Sequence, residues 1–403
     1  MARILLFLLP VFTWLGCTHK SVPEKLGDKQ VAIFDSLAVY FDPALKDLKL
    51  NTSTDSILRL DAGRVILKKI TLPDYELSAD VKLNVLLTSN GDPWDKSGSF
   101  FLLPIDSDFS LIDFEVGKVN LKDMEQPFPA VKYVKNGDQN YYPPLELMRF
   151  MTPFGVGYFS NDERTLAQKP IYLTKYDTLV KWSADISHLL PVLKKEVYVG
   201  VYIDTWTKEG YTLSADIHFK EFPYALANEK KKDNAVISLV NTIKYAADQR
   251  NFDGFYEDSL CVDFYLDSSL SNAKLYYTST GHGGHATGDE FTKHQNHIFI
   301  DQKIVSSFTP WRDDCYQFRG LNPSSGVWYD TVRYKGKLIE ERIASSDFSR
   351  SNWCPGSNVE PLSISLGELN MGKHQLKIKI PTAQKAKKGE DNYWMVSAYI
   401  VGE

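Results

Sequence analysis

The stretch Asn90-Gly-Asp-Pro-Trp-Asp-Lys-Ser-Gly98 sets two aspartates around a tryptophan. Gly91 and Pro93 make it a turn. A turn uses Gly, Asn and Asp but has no need of Trp94, a side chain costly to leave in water unless it packs or binds something. A third acid, Asp204, stands in "YIDTW" (202–206), where a strand puts Tyr202, Asp204 and Trp206 on one face. A carboxylate on an apolar strand is expensive unless it is paired, functional, or at a wet edge. The densest cluster is "TGHGGHATGDEFTKHQNHIFID" (280–301), which gathers His282, His285, Asp289, Glu290, His294 and His297. His-x-x-His beside carboxylates suits several divalent ions. Against a metal, His294 and His297 flank the start of a strand whose period of two sets them on opposite faces, and no third convergent ligand is evident. A polar, glycine-rich loop presenting Glu290 beside Phe291 is the better functional reading; a plain solvated turn is the bland one. In "SRSNWCPG" (349–356), Arg350 precedes Trp353 and Cys354, and its guanidinium can orient a carboxylate through a two-pronged hydrogen bond.

The elements that must position these residues read as strand after strand. The segments 75–87, 98–104, 196–206, 211–222, 273–280, 296–301, 374–380 and 393–401 are rich in β-branched and aromatic residues. Most alternate with period two between Gly, Asn, Asp or Pro. Helical periodicity is scarce, with one short helix expected in 183–195, broken by Pro191. Alternating βα units are missing, which predicts an all-β chain of sandwiches. The charge run in 224–233 separates two strand-rich blocks and predicts a linker. The long irregular stretch 117–144 predicts a functional rim or lid.

The 403 residues leave room for two or three domains, and a net charge of −5 offers no basic footprint for nucleic acid. The 22 Tyr and 22 Phe favour strands and sugar-stacking surfaces over helical bundles. Residues 1–16 form a secretory signal, Arg3 followed by the apolar run Ile4–Leu15, too short to span a membrane. Leu15-Gly16-Cys17 resembles a bacterial lipobox, with Cys17 as the lipid-carrying residue; plain secretion is the alternative. Export leaves Cys261, Cys315 and Cys354, most simply one disulfide and one buried thiol.

Taken in order, these segments resemble the bacterial peptide-N-glycosidase F family. Trp94-Asp95-Lys96 matches its Trp-Asp-basic loop, and "RFMTPFGVG" (149–157) its Arg-Phe-Ile-Thr-Pro segment. Asp204-Thr205-Trp206 matches its acid-Thr-Trp strand, and Glu290-Phe291 before Ile298 and Ile300 its Glu-aromatic loop. Arg350-Ser-Asn-Trp353-Cys354-Pro355-Gly356 matches its Arg-x-x-Trp-Cys-Pro-Gly segment. The similarity spans roughly residues 63–403. Four positions depart from the pattern: Asp204 stands in place of Glu, Lys96 in place of Arg, and Gly288 and Thr292 in place of a cysteine pair around Glu290.

The resemblance implies two antiparallel eight-stranded jelly rolls side by side, 63–223 and 234–403, with the site at their interface and residues 17–62 left unassigned, as an N-terminal extension or the first strands. It implies hydrolysis of the amide between Asn and the innermost N-acetylglucosamine of an N-linked glycoprotein or glycopeptide, by a monomer, with no cofactor and no metal. Asp95 would be the acid/base. Glu290 and Asp204 would orient substrate and water, or stabilise the leaving group. Trp94, Lys96, Trp206, Phe291, Arg350 and Trp353 would shape and bind; Asp92 would either brace the turn or bind sugar hydroxyls. A Cys315–Cys354 disulfide would tether the Arg350 loop, leaving Cys261 unpaired. Two other classes stay open: a glycan-binding surface lipoprotein without catalysis, and a copper-dependent oxidase built on the histidine cluster.

Overall fold

The computed structural model describes residues 27–45, 57–75, 79–104, 107–115, 118, 132–136, 139–222, 234–245, 254–283 and 287–403. Residues 1–16, expected to be a secretory signal, Cys17, His285, the expected linker 224–233 and most of 117–144 lie outside them. Two antiparallel sandwiches follow one another along the chain. In the first, Lys29–Val39, Tyr211–Glu221, Ala79–Ser89 and Val180–Asp185 form one sheet in that order. The other sheet runs Leu145–Met151, Ser97–Leu102, Lys195–Ile203, Val65–Leu72, Ile57–Leu60. The second sandwich sets Ala235–Asn241, Asn392–Gly402, Leu270–Gly283 and Leu362–Leu369 against Leu260–Leu266, Gly372–Lys379, Asn296–Ile300 and Lys303–Phe308.

The alternation read from the sequence is the cause of this layering. In Ala79–Ser89 every second side chain, Val81, Leu83, Val85 and Leu87 among them, is buried in the first core, while Lys82 and Leu86 face out. Each such buried aliphatic contributes about 1.5–3 kcal/mol. A second core gathers Phe264, Leu275, Ile298, Leu376 and Ile400.

The two sandwiches are joined by buried polar groups as well as apolar ones. Arg149 of the first is locked on Glu146 through Nε at 3.0 Å and Nη2 at 2.9 Å. Its Nη1 donates to the carbonyl of Met395 at 2.6 Å and to Thr280 Oγ1 at 3.2 Å, both in the second. A buried ion pair is tolerated when its remaining donors and acceptors are satisfied, and the partner sandwich supplies them here. Trp182 donates from Nε1 to the carbonyl of Gly356 at 2.8 Å. The short strand Asn358–Val359 of the second half pairs with Leu145–Met151 of the first.

Several expectations change. Lys29–Val39 and Ile57–Leu60 are paired strands of the first sandwich, so it begins well before residue 63. The segment 183–195 holds the end of a strand and one 3-10 turn, Ser187–Leu189, rather than an α-helix. The described end of 117–144 is a small ribbon, Val134–Asn136 with Gln139–Tyr141, and Tyr133 is buried in the second core rather than on a rim. Cys261 is exposed, because it takes an outward position in the alternating strand Leu260–Leu266.

Candidate active site

The turn after Ala79–Ser89 is pinned from every side. Ser89 Oγ donates to the Asp92 carbonyl at 2.7 Å and accepts from Gly91 N at 3.0 Å. Tyr211 Oη donates to the Trp94 carbonyl at 2.7 Å, Ser324 Oγ to the Pro93 carbonyl at 2.7 Å, and Lys96 N to Thr152 Oγ1 at 2.8 Å. Gly98, where the chain enters the next strand, has no room for a side chain, since a Cβ would meet the Phe150 ring at 2.2 Å. Asp92 is the internal brace. It is 0% exposed and accepts from Trp94 N at 3.0 Å and Thr205 Oγ1 at 2.7 Å. Both oxygens are therefore engaged inside the protein, which rules against a sugar contact and fixes the Asp95 turn to the Asp204 loop.

Asp95 is left at the cleft, only partly open to solvent. Burial pushes its carboxyl above the ordinary range, and the charges of Arg350 and Lys96 pull the other way. Glu290 lies across from it on the loop after Leu270–Gly283. Arg350 Nε donates to its Oε1 at 3.0 Å and Gly283 N to its Oε2 at 3.2 Å. Burial raises this carboxyl to about 7; Arg350 opposes the rise and the charge of Asp95 adds to it. Two carboxylates share one neighbourhood, and the charge of Asp95 helps raise Glu290.

Arg350 is itself fixed. Its Nη1 and Nη2 donate to the carbonyls of Phe348 and Ser345, each at 2.9 Å, and its guanidinium lies 4.9 Å from the Trp353 ring and 5.0 Å from the Phe291 ring. Trp353 is only 4% exposed and donates from Nε1 to the Gly281 carbonyl at 2.8 Å. It is a floor beneath Arg350, not a sugar platform, because neither ring face is open. Cys315 and Cys354 form the disulfide, with Cα atoms 5.1 Å apart, tethering this loop.

Asp204 sits on the far side of Lys96. Burial raises its carboxyl, while Arg64 pulls it down through a 3.1 Å ion pair. Arg64 also binds Asp61 at 2.7 Å and lies 4.1 Å from the Trp206 ring, with Phe41 5.1 Å from the same ring. Asp61 and Ala62 have φ of 47° and 55°, so a turn that strains non-glycine residues delivers Arg64. The outward faces of Trp94 and Trp206 remain free, at 59% and 57% exposed. Arg64, Asp61 and Tyr393 were not found from sequence. Arg64 lies 140 residues from Asp204, with no local motif to signal the pair. Tyr393 stacks on His282 at 5.4 Å, and the charges of Asp204 and Glu290 both push its phenol far above the usual range, after burial.

The histidines do not converge. His282 is buried against Trp353 and Tyr393 and bonds Thr280 Oγ1 at 2.7 Å. His294 bonds Thr382 Oγ1 at 2.7 Å and meets Asp289 at 3.0 Å, and His297 bonds Ser307 Oγ at 2.8 Å. Among the described residues no group of three or more His, Cys, Asp or Glu is arranged to hold a metal ion. The oxidase reading loses its basis in that cluster's described members.

Comparison with known proteins agrees with this geometry. The sequence models for peptide-N-glycosidase F, N terminal, and peptide-N-glycosidase F, C terminal, match residues 30–219 and 251–401. No curated protein sequence matches. A crystal structure of PNGF-II is similar at 31% identity and a TM-score of 0.75, over 93% of this chain and 65% of that one. This chain thus spans less than two thirds of that relative's length. Recombinant peptide:N-glycanase F shares the fold at 15% identity and a TM-score of 0.57, over 94% of this chain and 96% of that one. A structure from Flavobacterium meningosepticum, described as a glycosylasparaginase, does so at 14% identity and 0.57, with the same coverage. The chain belongs to the peptide-N-glycosidase F family.

Proposed function

We propose that the protein hydrolyses the amide joining an Asn side chain to the innermost N-acetylglucosamine of N-glycans. The observation that carries this reading is the pairing of Asp95 with the Arg350-bound Glu290 in one cleft, flanked by two open tryptophan faces. Water adds to the side-chain carbonyl carbon, the C–N bond breaks, the nitrogen takes up a proton and leaves as the glycosylamine, and Asn becomes Asp. Asp95 takes the proton from water: partial burial makes it more basic than a solvated carboxylate, and the braced turn removes its freedom to swing away. Both oxygens of Glu290 face donors, an arrangement that favours the anion. Glu290 therefore works as a carboxylate that orients water or the amide. Asp204 and the outward face of Trp206 hold the sugar, since an aromatic face beside a carboxylate matches the apolar face and hydroxyl rim of a pyranose. Trp94 walls the pocket, and Phe291 closes the Glu290 side.

Export through residues 1–16, anchoring through Cys17 and a monomeric state belong to the same proposal. The test is incubation of residues 18–403 with an N-glycopeptide in oxygen-18 water, beside Asp95→Ala. Labelled Asp at the former Asn, absent in the variant, supports the amidase with Asp95 at its centre. Unchanged peptide across several glycan types, together with measurable glycan binding, would make the protein a binder instead.

A further inference from the structure

The loop that presents Glu290 carries a second acid directly before it, and the chemistry proposed above makes no use of that acid. Asp289 is 1% exposed. Trp394 Nε1 donates to its Oδ2 at 2.7 Å, and Gln384 N donates to both of its carboxylate oxygens at 3.2 Å. His294 Nε2 lies 3.0 Å from Oδ1, its ring held on the other side by Thr382 Oγ1 at 2.7 Å. The main chain of the same residue is engaged as well. Asp289 N donates to Asn392 Oδ1 at 2.9 Å, and Asn392 Nδ2 donates onward to the Gln384 carbonyl at 2.7 Å. Packing leaves no slack, since a Cβ on Gly281 would meet the Asp289 carbonyl at 2.7 Å. A carboxylate is a pure acceptor, and burying one is costly unless donors meet it. Here they come from residues 95 and 105 positions away in the chain.

This hub reaches both groups that hold the Glu290 side chain. Ser351, buried beside Arg350, donates from Oγ to the Asp289 carbonyl at 2.5 Å and from N to the Glu290 carbonyl at 2.9 Å. The backbone of Glu290 is therefore fixed to the residue that follows Arg350. On the other side, strand pairing sets Trp394 opposite Gly281 and Asn392 opposite Gly283. Trp394 and Asn392 are the residues that grip Asp289; Gly283 supplies the N–H that binds Glu290 Oε2.

We propose that Asp289 is a positioning residue for Glu290: its buried carboxylate clamps the loop onto Trp394 and Gln384, so that the Glu290 side chain meets Arg350 and Gly283 together. This deepens the amidase reading and rests on it for the work that Glu290 does. The two bonds that hold Glu290 are 3.0 and 3.2 Å long, and hydrogen bonds of that length are lost on a slip of about 1 Å. A misplacement of that size costs about a hundredfold in rate.

The test is Asp289→Asn, which keeps the volume but turns one acceptor oxygen into a donor. Whichever way the amide lies, that donor faces the N–H of Trp394 or of Gln384. The first readout is the Glu290 carboxyl itself, followed by carbon-13 NMR in protein labelled at glutamate Cδ and assigned by its absence in Glu290→Gln. The charged and titratable groups around it are Arg350, Asp95 and the phenol of Tyr393. Two effects of the substitution have opposite signs. Taking a negative charge away from the neighbourhood lowers the midpoint of Glu290, whereas slipping off Arg350 and Gly283 raises it. The clamp predicts a midpoint raised by about 1 or more above the parent. It also predicts a kcat on an N-glycopeptide about a hundredfold lower, with KM changed by no more than about twofold, because Asp204 and Trp206 belong to the other sandwich. A midpoint that stays in place or falls overturns the proposal. So does a loss of kcat at every pH alike with the midpoint unmoved, the mark of a smaller folded fraction. Trp394→Phe removes one donor and keeps a ring in place, and should move the midpoint in the same direction by less. If Asp289→Asn does not fold, an unmoved midpoint in Trp394→Phe refutes the clamp. The NMR arm requires no turnover, so it decides the role of Asp289 even if no glycopeptide is cleaved.

Discussion

Removing the guanidinium at Arg350 gives the sharpest test of how the site is tuned. Glu290 stands at about 7 because burial raises it and Arg350 restrains the rise. A carboxylate that loses a directly bonded arginine moves upward by about 1–3 on the pH scale. Glu290 works as an anion in the scheme above, so kcat/KM of the parent should climb with pH through an acid limb near the value of about 7. In Arg350→Gln the limb should move up by about 1–3, and each step of one costs about tenfold in rate at a fixed pH below the new limb. Arg350→Lys keeps the charge but not the planar fork that reaches Glu290, Ser345 and Phe348 together; its limb should fall between those of parent and Gln variant. The assay is kcat/KM on a fluorescent glycopeptide from pH 5 to pH 10 or so, with thermal unfolding recorded at each pH to exclude loss of fold. Because Asp95 and Glu290 share charge, the limb belongs to the pair; Glu290→Gln must abolish or displace it. A limb that stays in place in both Arg350→Gln and Glu290→Gln would refute the assignment.

The same group makes a stability prediction. Glu290 is raised from 4.5 to about 7 in the folded protein, so the folded state holds more protons than the unfolded one between those values. Stability therefore falls as pH rises across that window and levels off above it, by about 3 kcal/mol in all. Glu290→Gln should be more stable than the parent in urea at pH 8 and no more stable at pH 4; equal differences at both would contradict the linkage. Arg64→Met strips the cation from buried Asp61 and from Asp204 and removes the support under Trp206. Breaking such a buried pair costs about 3–5 kcal/mol, and KM for the glycan should rise with little change in kcat, whereas a uniform fall in both kcat and stability with KM unaltered would argue against a link to the sugar end. Cys315→Ser with Cys354→Ser opens a cross-link between residues 39 apart, worth about 4 kcal/mol by loop entropy. Its melting temperature should drop and its activity should fall in parallel with mobility of the Arg350 loop; unchanged melting would show that the tether stabilises nothing.

Much of this protein was set by local sequence. Alternation along 81–87 and 211–222 determines strands with one buried face, because a period of two leaves no other way to hide Val, Leu and Ile. Trp94-Asp95-Lys96, Glu290-Phe291 and Arg350 could be singled out because each puts a costly residue in a short, marked segment. What tertiary structure decided is which of those residues faces the cleft. Asp92 and Asp95 sit three residues apart in one turn, yet one braces it from inside and the other looks out, since only the fold brings Thr205 to Asp92. Trp206 and Trp353 carry the same ring, but Arg350 and His282 cover the second. Arg64 and Tyr393 gain their place by strand pairing across the fold. Local patterning is a property of neighbours in the chain; solvent access and charge partnership depend on residues far apart in sequence, and only packing brings those together.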